Sequence, residues 1–426
     1  MKWTVLSLLS ALWLSAAGAN PEAMNPLAET YVKLALAAGV HDGDYVDAYS
    51  GPPEWRTAAE AEKVPLGEVR ARLRALASDL TRVDRGGFDE MARWRHAYLS
   101  GLVRALEARL AVLAGEKLPF DEESRLIYDT VAPKHGAAHY DAVLAELDKA
   151  LPGSGTVSER FQAFRNRFVI PSAKLDAVFQ AAIAAARERT LKRIPLPAHE
   201  KFTLEYVTGK SWSGYNWYQG NAHSVIQINT DLPIFIDRAV DLAAHEGYPG
   251  HHVYGTLLEQ KLLRGRGWIE FSVNPLFGPN GIIAEGSANY GIDVAFPGEE
   301  RIAFERDVLF PLAGLDPALA DEYYRIQGLT KQLGFAGNEA ARDYLDGKIS
   351  AAEAAAWLEK YSLMEPARAQ QRIKFVEKYR SYVITYNHGQ KLVSDWVEAQ
   401  AAGDAGRRWE IFTELISTPR LPSQLE

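Results

Sequence analysis

Pro195-Leu-Pro197, then Phe202-Thr-Leu-Glu-Tyr-Val207, Trp212-Ser-Gly-Tyr-Asn-Trp-Tyr218 and Ser224-Val-Ile-Gln-Ile-Asn229, is where the chain changes its period. Upstream, Leu66 to Ala77 and Tyr98 to Leu113 carry apolar residues three and four apart, the spacing of one helix face. Pro152-Gly153 and Thr156-Val-Ser-Glu159 mark a loop and a helix start of capping-box type. Within the quoted stretch, β-branched and aromatic residues cluster between glycine turns, which predicts short strands. Helical spacing returns near Ile234 and holds to Ile416. The expected fold is mainly α: one large multi-helical unit over residues 20–426, with a small antiparallel β element just before a histidine-rich helix. Pro195–Pro197 would separate two lobes meeting near 195–200 around a cleft. Neither a solenoid repeat nor a flexible Gly/Ser linker divides the chain.

Composition narrows the function. The 426 residues carry 47 Lys plus Arg against 55 Asp plus Glu, a formal charge of −8, with 47% apolar residues. Such a chain buries a core without staples and is not disordered. There is no cysteine, which excludes a disulfide scaffold, a thiolate zinc site, an iron–sulfur cluster and a cysteine nucleophile. The acidic balance, without a basic block, argues against nucleic acid as a partner.

The amino terminus has a different character. Lys2 is followed by an apolar run from Val5 to Leu14, then by Ala17-Gly18-Ala19 and Asn20-Pro21. Charge, apolar core and small-residue site in that order predict a signal peptide over residues 1–19, cleaved after Ala19, and hence a periplasmic or secreted protein. The apolar run is short for a membrane span, and no later segment is long and apolar enough for one.

The chemistry concentrates in Leu242-Ala-Ala-His245-Glu246-Gly-Tyr-Pro249-Gly250-His251-His252, where three of the ten histidines fall. In the usual zinc-peptidase motif, His-Glu-x-x-His, four residues turn a helix through about 400° and raise it about 6 Å, so both imidazoles reach one ion. Here His251 is six residues from His245, on the wrong face of a straight helix. His252 is seven away, on the right face but about 10 Å along. Nitrogens bound to one zinc lie only about 3–4 Å apart. Pro249-Gly250 supplies a way out, because proline breaks the helical ladder and glycine tolerates unusual dihedrals. If the pair bulges out, His251 returns to the ligand position. His251 is the preferred ligand, and His252 then supports it or faces substrate.

A catalytic site needs a third protein ligand and an open position. Glu285, in Ile282-Ile-Ala-Glu285-Gly-Ser-Ala-Asn289-Tyr290, is the candidate, since a carboxylate in an apolar helical stretch is costly unless paired or metal-bound. Asn289, one turn on, is placed to orient a histidine through its free ring nitrogen. Tyr386 and His388 are candidates to steady an oxyanion. Arg380 could hold a substrate carboxylate, and Tyr382 lies in the same polar, aromatic segment. Tyr218 would line a substrate cleft. Ser224 to Asn229 would form an edge strand that pairs with an extended peptide. Asp42, Asp44 and Asp47 read as a solvated loop, and His96 as a surface residue.

The motifs together resemble a large, mostly bacterial family of zinc-peptidase-like proteins catalogued as a domain of unknown function. Its members carry His-Glu-x-x-Pro-Gly-His-His and then Glu-Gly-x-Ala. Tyr45-Val-Asp-Ala-Tyr49, Gly51-Pro-Pro-Glu-Trp55, Trp212–Tyr218 and Tyr379–Gln390 extend the likeness over nearly all of the chain after residue 19. The resemblance implies a helical fold and a metallohydrolase site on His245, Glu246, His251 and Glu285. His388 departs from it, since members often carry proline before the Gly-Gln pair.

The expected function is an exported zinc-dependent metallopeptidase that binds one Zn²⁺ and acts on a peptide or small amide, with Glu246 as general base. The alternatives are a zinc amidase or esterase on a non-peptide substrate, and a non-catalytic peptide- or glycan-binding protein of the same fold. Oligomeric state is not legible.

Overall fold

A computed structural model describes residues 21–426 apart from 211. The expected signal peptide lies outside the described residues. The fold is mainly α, with long helices at Asn25–His41, Leu66–Thr81, Glu90–Leu113, Leu175–Leu191, Pro279–Ala295, Pro366–Tyr379 and Ile384–Ala401. The apolar stripes read from sequence are their buried faces: Val69, Leu73, Leu76 and Leu80 on one, Leu99, Leu102, Val103, Leu106 and Leu110 on another. One contiguous core runs from Ala28 to Leu425. Each large aliphatic side chain in it contributes about 1.5–3 kcal/mol. The capping box forms as expected, the Thr156 hydroxyl accepting from Glu159 N at 3.2 Å. No described helix is long and apolar enough to cross a membrane.

Among the described residues there are five short strands: β1 (Val46–Tyr49), β2 (Lys201–Val207), β3 (Gly214–Tyr218), β4 (His223–Asn229) and β5 (Val273–Pro275). The three in the middle were expected, but their sheet is mixed rather than antiparallel, in the order β2-β4-β3. β3 and β4 form an antiparallel hairpin, while β2 pairs parallel with β4. The reason is topological. Two successive reversals bring the chain back to its first direction, so a first strand that pairs with the third must run parallel to it. β4 is therefore central, not an edge, and β3 and β2 are the edges. Ser224, Ile226 and Ile228 of β4 are buried, and Ile226 packs beneath Gly247.

β1 and β5 were not foreseen; they pair antiparallel. Nor is the Asp42–Asp47 segment a solvated loop. Asp42 is buried against Arg109 at 2.8 Å, and Asp47 lies in β1. His96 is also buried, its Nε2 2.9 Å from the Leu80 carbonyl. A helix's apolar stripe does not report which of its polar neighbours will be covered by a distant segment.

Candidate metal centre

The histidine segment does not run as a straight helix. Asp237–Leu242 is α-helical, and Ala243–Gly247 widens into a π-helical turn. The Tyr248–Pro249 peptide is cis, and a new helix begins at His251. Tyr248 N donates to Ala243 O at 3.1 Å and Gly250 N to Ala244 O at 2.9 Å, which folds the break onto the preceding turn. A Cβ at residue 250 would lie 1.8 Å from the His245 carbonyl oxygen, so only glycine permits this approach. The six-residue spacing is thereby absorbed: His251 Nε2 lies 3.1 Å from His245 Nε2.

The third arm comes from the Pro279–Ala295 helix. Glu285 Oε2 is 3.4 Å from His245 Nε2 and 3.9 Å from His251 Nε2. Ligands about 2.1 Å from one tetrahedral ion would stand about 3.4 Å apart, so the triangle fits an ion. Two further observations agree. Glu285 Oε2 is buried with no hydrogen-bond partner, and two imidazole nitrogens face each other at contact distance. The His245, His251 and Glu285 group can hold a metal ion. Its side chains keep 14–21% exposure, so the group is reached by solvent.

Orientation is fixed from behind. Asn289 Oδ1 lies 3.0 Å from His245 Nδ1 and accepts its proton, leaving Nε2 as the free donor atom. Asn289 Nδ2 donates to the Tyr386 carbonyl at 3.2 Å. Tyr382 OH donates to Glu285 Oε1 at 3.0 Å. Burial raises the Glu285 carboxyl, but His245 and His251 beside it and the Tyr382 bond outweigh it and hold it low. Burial pushes His251 down to about 4, with the His245 charge adding, so its ring is neutral. For His245 burial also lowers, yet Glu285 and Glu246 win and raise it. Glu246, buried beside His245, is pushed up to about 7 by burial, opposed by His245 and reinforced by Glu285.

β3 runs along this centre. Asn216 Nδ2 donates to the Glu246 carbonyl at 2.6 Å. A Cβ on Gly214 would lie 2.7 Å from Leu242 Cδ2 and 3.0 Å from Glu246 Oε1. Tyr215 OH donates to Asp47 Oδ1, whose other oxygen accepts from Asn274 at 3.2 Å. Burial raises the Asp47 carboxyl, Tyr215 lowers it and the Glu285 charge raises it. The sequence hid it, because its partner lies far along the chain; the signal was the Tyr45–Tyr49 motif.

Several expected site residues lie elsewhere. His388 Nε2 meets Thr130 Oγ1 at 2.9 Å, and Thr130 bonds Glu426. It is two residues beyond Tyr386, about 200° round the helix, and so it faces away. His252 is fully buried between Ser224 Oγ (2.9 Å) and Glu200 Oε2 (3.1 Å), neither touching the metal group nor open to substrate. Tyr218 OH donates to Glu259. Asn229 braces a turn through the carbonyls of Lys210 and Trp212, each at 3.0 Å. Arg380 is held by Glu123 and the Leu118 carbonyl, and Glu123 also accepts from Ser381 N at 3.1 Å. This clamp fixes Arg380 at φ +52, the turn that aims Tyr382 and Tyr386 inward. Tyr386 packs edge-on against Tyr382 at 5.7 Å and feels the charges of Glu285 and Glu246. A surface cavity of about 1010 Å³, bordered by Lys192, Lys261 and Trp409, contains none of these groups.

No family model matches the chain, and neither does any curated protein. Among solved structures, the chain is similar to a "putative lipoprotein" from Colwellia psychrerythraea, at 15% identity over 95% of this chain and 74% of that one, TM-score 0.54. It also aligns with one of unknown function from Shewanella oneidensis, at 11% identity over 95% and 82%, TM-score 0.47. An M32 carboxypeptidase from Deinococcus radiodurans R1 aligns at 15% identity over 94% and 91%, TM-score 0.38. The first of these likenesses is one of fold.

Proposed function

We propose that this chain is an exported zinc metallopeptidase. One observation carries the reading: His245, His251 and Glu285 converge within 4.8 Å, with a buried glutamate, Glu246, beside the first ligand. Two nitrogens, one carboxylate and no thiolate suit a catalytic zinc with an open position. Zinc bound there would supply Lewis acidity for a water and for a scissile carbonyl. Glu246 takes the proton of the attacking water and returns it to the leaving nitrogen. Asn289 and Tyr382 hold the ligands' orientation. Tyr386 is the candidate donor for the developing oxyanion. The edge strand β3, which Gly214 lets approach Glu246 closely, suits an extended peptide better than a compact amide. Export rests on residues 1–19 and places the enzyme in a periplasm or outside the cell.

The test is metal analysis with a peptide-cleavage assay. Stoichiometric zinc is expected, with cleavage abolished by a chelator and restored by added zinc. A protein that binds no zinc stoichiometrically, or that cleaves no peptide when loaded, would overturn the reading.

A further inference from the structure

The two outer strands of the mixed sheet are built differently. β2 carries Lys201 and Glu205, the kind of charge by which an exposed edge avoids pairing with a foreign strand. β3 reads Gly214-Tyr-Asn-Trp-Tyr218, with neither a charge nor a proline. Its ladder with β4 is bracketed by two bonds of 2.9 Å, Asn229 N to Ser213 O and Gln219 N to His223 O. Hydrogen-bonded pairs recur at every second residue. Tyr215 and Trp217 therefore turn their backbone groups towards β4, while Gly214, Asn216 and Tyr218 turn theirs to the outer edge. Among the described residues nothing bonds them there. This edge touches the metal centre: a Cβ on Gly214 would lie 3.0 Å from Glu246 Oε1, and Asn216 Nδ2 reaches the Glu246 carbonyl at 2.6 Å.

The opposite face of β3 holds a run of aromatic rings. The Tyr215 ring lies 4.6 Å from that of Trp217 and 5.5 Å from that of Trp212. Tyr215 OH is anchored on Asp47, and Trp217 Nε1 donates to Gln227 Oε1 at 3.2 Å, so both rings are held in place. Trp217 is nevertheless 44% exposed. A strand bonded to Gly214 and Asn216 would set alternate residues opposite Tyr215 and Trp217 in non-hydrogen-bonded pairs. There the Cα atoms stand about 4.5 Å apart and side chains on one face touch.

We propose that Tyr215 and Trp217 are the specificity subsite of this centre, and that its substrates are extended peptides carrying an aromatic side chain, which packs on the Trp217 ring while the peptide backbone pairs with Gly214 and Asn216. The proposal rests on the metallopeptidase reading. Backbone pairing supplies affinity without regard to sequence, and the rings on the outer face supply the choice of side chain. An aromatic partner gains most, because ring on ring adds a geometric preference to the apolar area covered. Rings already held in place lose little freedom when they are covered.

The experiment walks a single phenylalanine through a short alanine peptide capped at both ends, using the zinc-loaded protein. At one position phenylalanine is expected to raise kcat/KM about 10-fold over alanine, mainly through KM. Trp217→Ala should erase that ratio at unchanged zinc content and helicity, and Trp217→Phe should restore part of it. Methylating the backbone amides of the best peptide one at a time should weaken binding at alternate positions only, as strand pairing requires. Calorimetric binding of the same peptides to Glu246→Gln protein separates the two readings. A phenylalanine preference in binding, lost on adding Trp217→Ala, supports the subsite even if no peptide is ever cut; absent cleavage overturns the peptidase reading. Phenylalanine and alanine peptides that bind alike, or a preference that survives Trp217→Ala, overturn the subsite. So does a dimer in sedimentation that Trp217→Ala breaks, because it gives the edge to a second copy of the chain.

Discussion

Gly286 and Gly389 stand at the crossing of two helices, so close that a Cβ on Gly286 would lie 2.4 Å from the Gly389 carbonyl oxygen. Gly286 follows Glu285 of the candidate metal group, and Gly389 lies one turn beyond Tyr386. The approach of these backbones sets the distance between the metal group and the tyrosines. Backbone cannot yield as a side-chain tip can, so Gly286→Ala should cost about 1–3 kcal/mol of stability and weaken zinc binding. Chemical denaturation and zinc content check this; an unchanged midpoint would show that the crossing tolerates a methyl group.

Asn289 fixes the His245 tautomer through its side-chain oxygen. Asn289→Ala should weaken zinc about 10- to 100-fold, measured by competition with a chelator, while Asn289→Asp, which keeps an acceptor, should stay near the parent value. Equal losses in both variants would point to general disruption instead.

Glu246 lies beside His245 without being one of the candidate metal group. Glu246→Gln should retain zinc and bind peptide as the parent does, with turnover reduced about 10²- to 10⁴-fold. Full activity in this variant would remove Glu246 from the mechanism.

Glu200 accepts from Tyr248 at 2.7 Å and meets His252 and Arg187, which locks the kink that carries His251. Burial alone would raise its carboxyl, but the bonds from His252, Tyr248 and Arg187 and the Arg187 charge hold it down at about 2, against an ordinary 4.5. A depressed carboxyl stabilises the fold above its unfolded value. That stability is complete above about pH 4.5 and is lost as pH falls towards 2. Thermal melts should fall over this window, and Glu200→Gln, less stable at neutral pH, should flatten the decline. A parent-like slope in the variant would assign the acid sensitivity elsewhere.

What the sequence determined by itself was local: the helical stretches and the three middle strands, where Thr156 caps, and that Pro249-Gly250 interrupts the histidine segment. Periodicity and backbone preference act within a few residues, so they can be read in line. Tertiary structure alone chose His251 over His252, because residues one apart point about 100° away from each other and only the fold shows which side faces Glu285. It likewise packed Tyr386 against Tyr382 and buried His388 against Thr130, placed Asp47 beside Tyr215, and put β4 between β2 and β3. Each of those outcomes depends on a partner distant in the chain, and alternation or spacing carries no record of what a side chain will meet.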